Sequence, residues 1–259
     1  EYFLCNPALG GDEPILGQKE ENRKEGRKPS YLMVKAGSWG EDSAQIHRFF
    51  GWNEIDVSYS VPFSVKAEDT FCTEDRMYGK VKVEGAEEKP YLMSQNGEME
   101  WDLSINKKVA FNVGYGAGRL FRRIQLFEMF WHAEGMKTEY SGVVVWNGER
   151  YIVSPESSYG YSDKNWGKDF SSPFFHISSS FITSQISGKL LQNSAIAVQG
   201  EYRDRLSVLV CIEGKKIEFH ADKRQRYEVI HDCQEINDDD LGPKLHWSCS
   251  VHDKKHVID

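Results

Sequence analysis

Polar and apolar residues alternate with a period of two along much of this chain, as they do in strands that bury one face and solvate the other. The cleanest stretch is Glu98-Met99-Glu100-Trp101-Asp102-Leu103-Ser104-Ile105, which sets Met99, Trp101, Leu103 and Ile105 on one face. It follows the turn pair Asn96-Gly97. Asn147-Gly148 lies between two β-rich runs, Ser141 to Trp146 and Arg150 to Val153, and predicts a two-residue hairpin. Glu213-Gly214 joins Leu206 to Ile212 with Lys216 to Phe219 in the same way. Further strands are expected at Tyr31 to Lys35, Ala44 to Phe50, Met77 to Val83, Val109 to Val113, Phe174 to Ser179 and Tyr227 to Cys233. One segment departs from this period. In Arg119 to Phe130, the residues Leu120, Ile124, Phe127 and Met129 or Phe130 recur at helical spacing and predict a short amphipathic helix. Asn6 to Ser30, rich in Gly, Pro and charge, reads as an irregular loop.

One short helix among many hairpins predicts an all-β chain of antiparallel barrels or sandwiches. Length allows one large domain or two smaller ones, at 259 residues. The seven Trp, twelve Tyr and fourteen Phe supply more aromatic surface than a disordered acidic chain carries, so the chain is expected to fold. A small barrel has room inside for its own side chains or for one small ligand, and an aromatic-rich β chain suits either use.

The net charge of −8, with no long unopposed Lys/Arg run, argues against nucleic acid as a partner. No apolar stretch approaches the roughly 18 residues of a membrane helix, so a soluble protein without a transmembrane segment is expected. The chain starts at Glu1, and Glu1-Tyr2-Phe3-Leu4 lacks the basic and apolar regions of a signal peptide; either a leader has been removed or the chain is cropped. The five cysteines, Cys5, Cys72, Cys211, Cys233 and Cys249, are widely spaced without a CxxC pair, which points to reduced thiols and a cytoplasmic location. Nothing in the sequence sets the oligomeric state.

The most informative segment is Ser158-Tyr159-Gly160-Tyr161-Ser162-Asp163-Lys164-Asn165-Trp166-Gly167-Lys168-Asp169-Phe170, where charges, an amide and glycines interrupt a run of aromatics. If Tyr159 to Asp163 is extended, Tyr159, Tyr161 and Asp163 share one face, an acid beside two phenols with Trp166 just beyond. A plain structural alternative stays open: a strand end followed by an Asp/Asn/Gly turn, with the aromatics packing beneath it.

Gly160-Tyr161-Ser162-Asp163-Lys164-Asn165-Trp166-Gly167 resembles the G-Y-x-[DE]-K-N/D-W-G signature of the tocopherol cyclase-like family. It is similar also to the Y-x-D-H-N-x-G stretch of carotenoid hydratases, which share a double-lipocalin superfamily with certain fungal decalin-forming cyclases. Phe127 to Gly135, Tyr151 to Glu156 and Phe170 to Ser180 look like the flanking stretches of bacterial members, and the resemblance covers about Gly97 to Gly188. It implies two lipocalin-like β-barrels or sandwiches, an N-terminal domain at residues 1–168 and a C-terminal one at 169–259. Asn193 to Asp259 is shorter than the family's second barrel, so segments are expected to be absent there.

The resemblance further implies acid-initiated chemistry without a cofactor or metal, on a hydrophobic prenylated or polyene small molecule held in an apolar pocket. An olefin is protonated, and the cation is captured by a hydroxyl or by water, or loses a proton. Asp163 matches the general acid, because an apolar pocket keeps a carboxyl protonated near neutral pH. Tyr161, Trp166 and Trp131 match the aromatic faces that stabilise a cation. Tyr159, Lys164 and Asn165 complete the expected substrate-binding set. His132, by analogy with the hydratases, polarises the acid or positions water, although a histidine in an aromatic run is also an ordinary hydrogen-bonded structural residue. Lys164 replaces the His of the hydratase pattern and agrees with the cyclases. The alternative function is a non-catalytic lipocalin-like carrier using the same pocket.

Other motifs carry less. Gly114-Tyr115-Gly116-Ala117-Gly118 followed by Arg119, Arg122 and Arg123 lacks Walker spacing and a βαβ setting, and reads as a turn. Cys249, His252 and His256 lack a good second pair of zinc ligands. Asp238-Asp239-Asp240 lacks EF-hand spacing, and Ser178-Ser179-Ser180 has no nucleophile elbow.

Overall fold

The structure, a computed structural model, describes residues 1–5, 24–25, 29–40, 43–60, 62–111, 129–167, 174–201, 205–219, 228–238 and 242–259. Compactness divides the chain into two discontinuous units, Glu1–Asn106 with Tyr140–Ser158, and Lys107–Glu139 with Tyr159–Asp259. The boundary expected between residues 168 and 169 lies outside the described residues.

The first unit holds β1 (Tyr2–Cys5), β2 (Tyr31–Ser38) and β3 (Ala44–Gly51) in one antiparallel sheet. Its other strands are β4 (Ile55–Ser58), β5 (Ser64–Ala67), β6 (Thr70–Thr73), β7 (Arg76–Val83), the first part of β8 (Gly97–Val109), the last part of β9 (Met129–Trp146) and β10 (Glu149–Val153). Each of these pairs with its neighbour in sequence, in the order β10-β9-β8-β7-β6-β5-β4. The expected alternation in β8 is present: Trp101, Leu103 and Val109 are buried while Glu100, Asp102 and Ser104 are exposed. Trp101 and Leu103 join Leu32, Val34, Ile46, Phe50, Val65 and Val81 in one apolar core. Asn147 and Gly148 both take positive φ, 47° and 86°, which is the two-residue hairpin turn whose twist matches the strands it joins. Asn96-Gly97 is no such turn. Gly97 opens β8, and two short 3-10 turns, Ala86–Glu88 and Pro90–Leu92, lead into it.

The second unit contains the remainders of β8 and β9, then β11 (Tyr159–Gly167), β12 (Phe174–Ser179), β13 (Ala195–Glu201), β14 (Arg205–Ile212) and β15 (Lys215–Phe219). It ends with β16 (Glu228–Asp238), β17 (Gly242–His252) and β18 (Val257–Ile258). Strands β12 to β15 form an antiparallel meander that is apolar on both faces. Ala195, Ala197, Leu209 and Cys211 face a core shared with Trp131, Ala133, Met136 and Tyr161. The alternate residues Val198, Leu206, Val208, Val210 and Phe219 face a second core with Trp247 and Val251. Glu213-Gly214 forms the expected turn, with φ of 44° and 85°.

The chain is thus mostly β, in several antiparallel sheets, and among the described residues none of them closes into a barrel. Two sequence expectations need correction or limits. Of the expected strand from Val109 to Val113, Val109 ends β8, Ala110 and Phe111 lie outside any strand, and the rest lies outside the described residues. Of the expected helix, residues 119–128 and the Gly114 to Gly118 loop lie outside the described residues, but Met129 and Phe130 are extended and open β9. Both are buried and pair with Gly167 and Trp166, so cross-strand packing decides their conformation. Most of Asn6 to Ser30 also falls outside the description. No helix among the described residues is long and apolar enough to cross a membrane.

Candidate functional site

The segment singled out in the sequence is strand β11, antiparallel to β9 within the second unit. Their register shifts twice, between Gly160 and Ser162 and again between Ser162 and Lys164, and each time β9 carries the extra residue. Such bulges re-aim side chains and increase local twist. Gly135, opposite Ser162, sits between them. A Cβ at Gly135 would lie 2.2 Å from Thr138 Oγ1 and 3.1 Å from Ser162 Cβ, so the strands approach this closely only because the residue is glycine.

On one side of β11 three donors converge on a single carboxylate oxygen. Tyr161 Oη donates to Asp163 Oδ2 at 3.0 Å, Trp131 Nε1 reaches the same oxygen at 3.0 Å, and Asn165 Nδ2 at 3.2 Å. Trp131 Nε1 also donates to Tyr161 Oη at 2.7 Å. An indole nitrogen only donates, so Tyr161 accepts from Trp131 and turns its own proton toward Asp163. Trp131 is 1% exposed, Tyr161 and Asp163 are half-buried, and Asn165 is exposed. Burial, followed by the charge on Asp163, pushes the Tyr161 phenol well above its usual range, so it stays protonated and remains a donor.

The network extends to two residues that sequence reasoning missed. Gln199 Nε2 donates to Asn165 Oδ1 at 2.7 Å, and His176 Nδ1 lies 2.9 Å from Gln199 Oε1. With the amide oxygen of Gln199 as acceptor, His176 is the donor, and every bond from His176 through Gln199 and Asn165 points toward Asp163. The His176 ring lies 5.0 Å from that of Tyr161 and stands edge-on to Trp131 at 6.3 Å. Gln199 had a visible signal: it is the polar member of the Ala195, Ala197, Gln199 alternation, on a face otherwise facing the core. His176 had none, because its partner lies on another strand.

The other expected site residues go elsewhere. Lys164, next to Asp163, points to the opposite side by strand alternation and pairs with Glu134 at 3.1 Å. Lys107 pairs with the same Glu134 oxygen at 3.2 Å, which compensates a carboxylate only 10% exposed. His132 lies opposite Lys164 in register, hydrogen-bonds the backbone of Phe111, and is held below its ordinary range chiefly by burial. Trp166 stacks on Phe130, with centroids 5.8 Å apart and planes at 16°. Tyr159 lies under the ammonium of Lys137, 5.3 Å from the ring centroid. Thus the structure brings Trp131, Tyr161, Asp163 and Asn165 together, and it sets Lys164, His132 and Trp166 apart from them.

Among the described residues no group of three His, Cys, Asp or Glu side chains is arranged to hold a metal ion. Cys249 packs among apolar side chains, where burial pushes its thiol up to about 11. His256 contacts Asp253 at 3.3 Å, and Asp253 accepts the backbone N–H groups of Lys255 and His256, a local turn cap. No protein-family model, no curated protein and no solved structure matches the chain.

Proposed function

We propose that the second unit binds a hydrophobic prenylated or polyene molecule and that Asp163 delivers a proton to one of its olefins. The reading rests on the likeness of Gly160 to Gly167 to the tocopherol cyclase-like signature, and it includes a lipocalin-like arrangement of both units. It places the protein in the cytoplasm. The observation that carries it is the convergence of Tyr161, Trp131 and Asn165 on Asp163 Oδ2. The three donors hold Oδ2 and so fix the orientation of the carboxyl group; in this reading the transfer runs through Oδ1, the oxygen they do not engage.

The step balances without a cofactor. The Asp163 proton forms a new C–H bond from the olefin's π electrons and leaves a cation on the adjacent carbon. A hydroxyl oxygen of the substrate closes on that carbon, and its proton returns to the carboxylate, so the net change is an isomerisation. Trp131, Tyr161 and the ring of His176 supply aromatic faces to the cation, each contact worth about 0.5–2 kcal/mol. Trp166 and Lys164, which point away, play no part in this step, and His132 serves as a half-buried structural residue.

Incubation with a panel of prenylated quinols and polyenes tests the reading. Asp163→Asn keeps the shape and lacks the acid, and turnover is expected to fall by about 10²- to 10⁴-fold. Equal product from both proteins removes Asp163 from the role. A second reading, a carrier of the same class of ligand, draws on the closure of the network, whose bonds would equally serve as a strut between β9, β11 and β13. Native mass spectrometry separates the two: a retained, chemically unchanged lipid together with no turnover identifies the carrier.

A further inference from the structure

Gln199 on β13 is 1% exposed, and its amide is the buried middle of the chain of bonds that ends on Asp163. It stands opposite His176 in the register of β12 with β13, so the two side chains share a face of the meander. On β13 that face carries Ala195 and Ala197 into the core with Trp131 and Tyr161, where an amide is tolerated only with its bonds made.

A carboxamide has a donor end and an acceptor end, and a half-turn of its plane exchanges the two at the same positions. A chain of two amides therefore has two directions open to it, with Asp163 Oδ2 accepting at its end or donating there. The Asp163 end decides between them. Trp131 Nε1, which only donates, and the Tyr161 hydroxyl both reach Oδ2, at 3.0 Å each. Oδ2 is thereby held as an acceptor, so Asn165 offers it Nδ2 at 3.2 Å and turns Oδ1 to Gln199. Gln199 answers with Nε2 at 2.7 Å and leaves Oε1 for His176, whose ring must carry a proton on Nδ1, 2.9 Å away. Each bond is set by the one before it.

Coupling of this kind is reciprocal: if the acceptor state of Oδ2 selects the tautomer of His176, that tautomer biases Oδ2 by the same amount. With the proton on His176 Nδ1, Oδ2 is tied down and the acid proton is confined to Oδ1. With the proton on Nε2 instead, both amides turn over, and Asn165 Oδ1 draws the acid proton onto Oδ2. We infer that Gln199 is a positioning residue, which relays the tautomer of His176 through Asn165 to Asp163 and so sets which carboxyl oxygen carries the acid proton. A strut between strands would need these bonds and not their direction. The catalytic use of the relay rests on the reading of Asp163 as the acid; the coupling itself does not.

Long-range 1H–15N NMR of the full chain, at a pH where the His176 ring is neutral, reads where its proton sits. Wild type is expected to show the Nδ1–H form. Asn165→Ala, at an exposed position, cuts the chain on the far side of Gln199 and should give a mixture of Nδ1–H and Nε2–H. Asp163→Leu, which removes the acceptor, should do the same. An Nε2–H ring in wild type, or an undisturbed Nδ1–H ring in either variant, overturns the relay. On a substrate from the panel, Gln199→Met should lower kcat by about tenfold and leave KM unchanged, because the acid remains but its proton is no longer held on Oδ1. A kcat equal to wild type makes Gln199 a strut and overturns the positioning role. Coupling at His176 in a protein with no turnover would keep the relay and remove the acid reading; turnover that depends on Asp163 without coupling would do the reverse.

Discussion

At the scale of single residues, burial acts on neighbouring positions of β9 with different consequences. Trp131 is almost fully buried yet its only polar atom is satisfied twice, by Tyr161 and Asp163, so the indole fixes the direction of the Tyr161 proton as well as filling the core. His132, the next residue, is half-buried on the other side and held below its ordinary value of 6.5. Between its folded value and 6.5 the unfolded chain binds a proton that the folded chain refuses, so stability falls as pH drops through that window and is level above it. Urea midpoints taken from about pH 8 down to about pH 5 are expected to show this loss, and His132→Asn should remove that part of the dependence. Identical profiles for the two proteins would contradict a half-buried His132 held below its ordinary range. Tyr161 and Asp163 were legible together because strand alternation puts them on one face, and Trp131, on another strand, joined them only through the family resemblance. Lys164 and Trp166 were assigned to the site through the family resemblance, and the same alternation sends them away. Gln199 showed only as a polar residue on a core-facing alternation, and His176 was out of reach of local pattern, since the pairing of β12 with β13 is what brings the two together.

At the scale of elements, the contact between β9 and β11 depends on its two bulges. Both extra residues lie on β9, and Gly135 separates them at the point of closest approach. Gly135→Ala is expected to destabilise the protein by about 1–3 kcal/mol, because Thr138 and Ser162 must move to admit a methyl group. The shift should also disturb the Tyr161–Asp163 bond, seen as a change in Trp131 fluorescence. A midpoint and spectrum identical to wild type would mean that the close approach is not kept in solution. Hairpins were the most legible elements, because Asn147-Gly148 and Glu213-Gly214 specify turn geometry by themselves. Strands β2, β3, β7, β12 and β14 were also visible in their alternation. The start of β9 was not, since nine of the ten residues from Met129 to Thr138 are buried, His132 alone being half-buried, and the stretch has no period of two. Two bulges break the alternation between Thr138 and His132, and Met129 and Phe130 fit the helical spacing that starts at Leu120, so they were read as the end of a helix.

At the scale of the whole molecule, β8 and β9 each contribute to both units, so the division falls within strands and not at a linker. A division inside strands leaves no linker-like composition for the sequence to show, and the boundary expected after residue 168 came from the family resemblance. The all-β, antiparallel character was legible throughout because hydrophobic alternation and turn pairs reinforce each other. In the second unit the two-faced meander β12 to β15 gives β9 and β11 an apolar surface to cover, and the acid-centred network lies on that side.

The most direct test of acid-initiated chemistry is turnover in D2O with mass spectrometry of the product. If Asp163 donates the proton, its exchangeable hydrogen is deuterium, and each product molecule should carry a single deuterium on carbon, with no such product from Asp163→Asn. A cyclised product without carbon-bound deuterium, or one labelled equally by the variant, would contradict Asp163 as the acid.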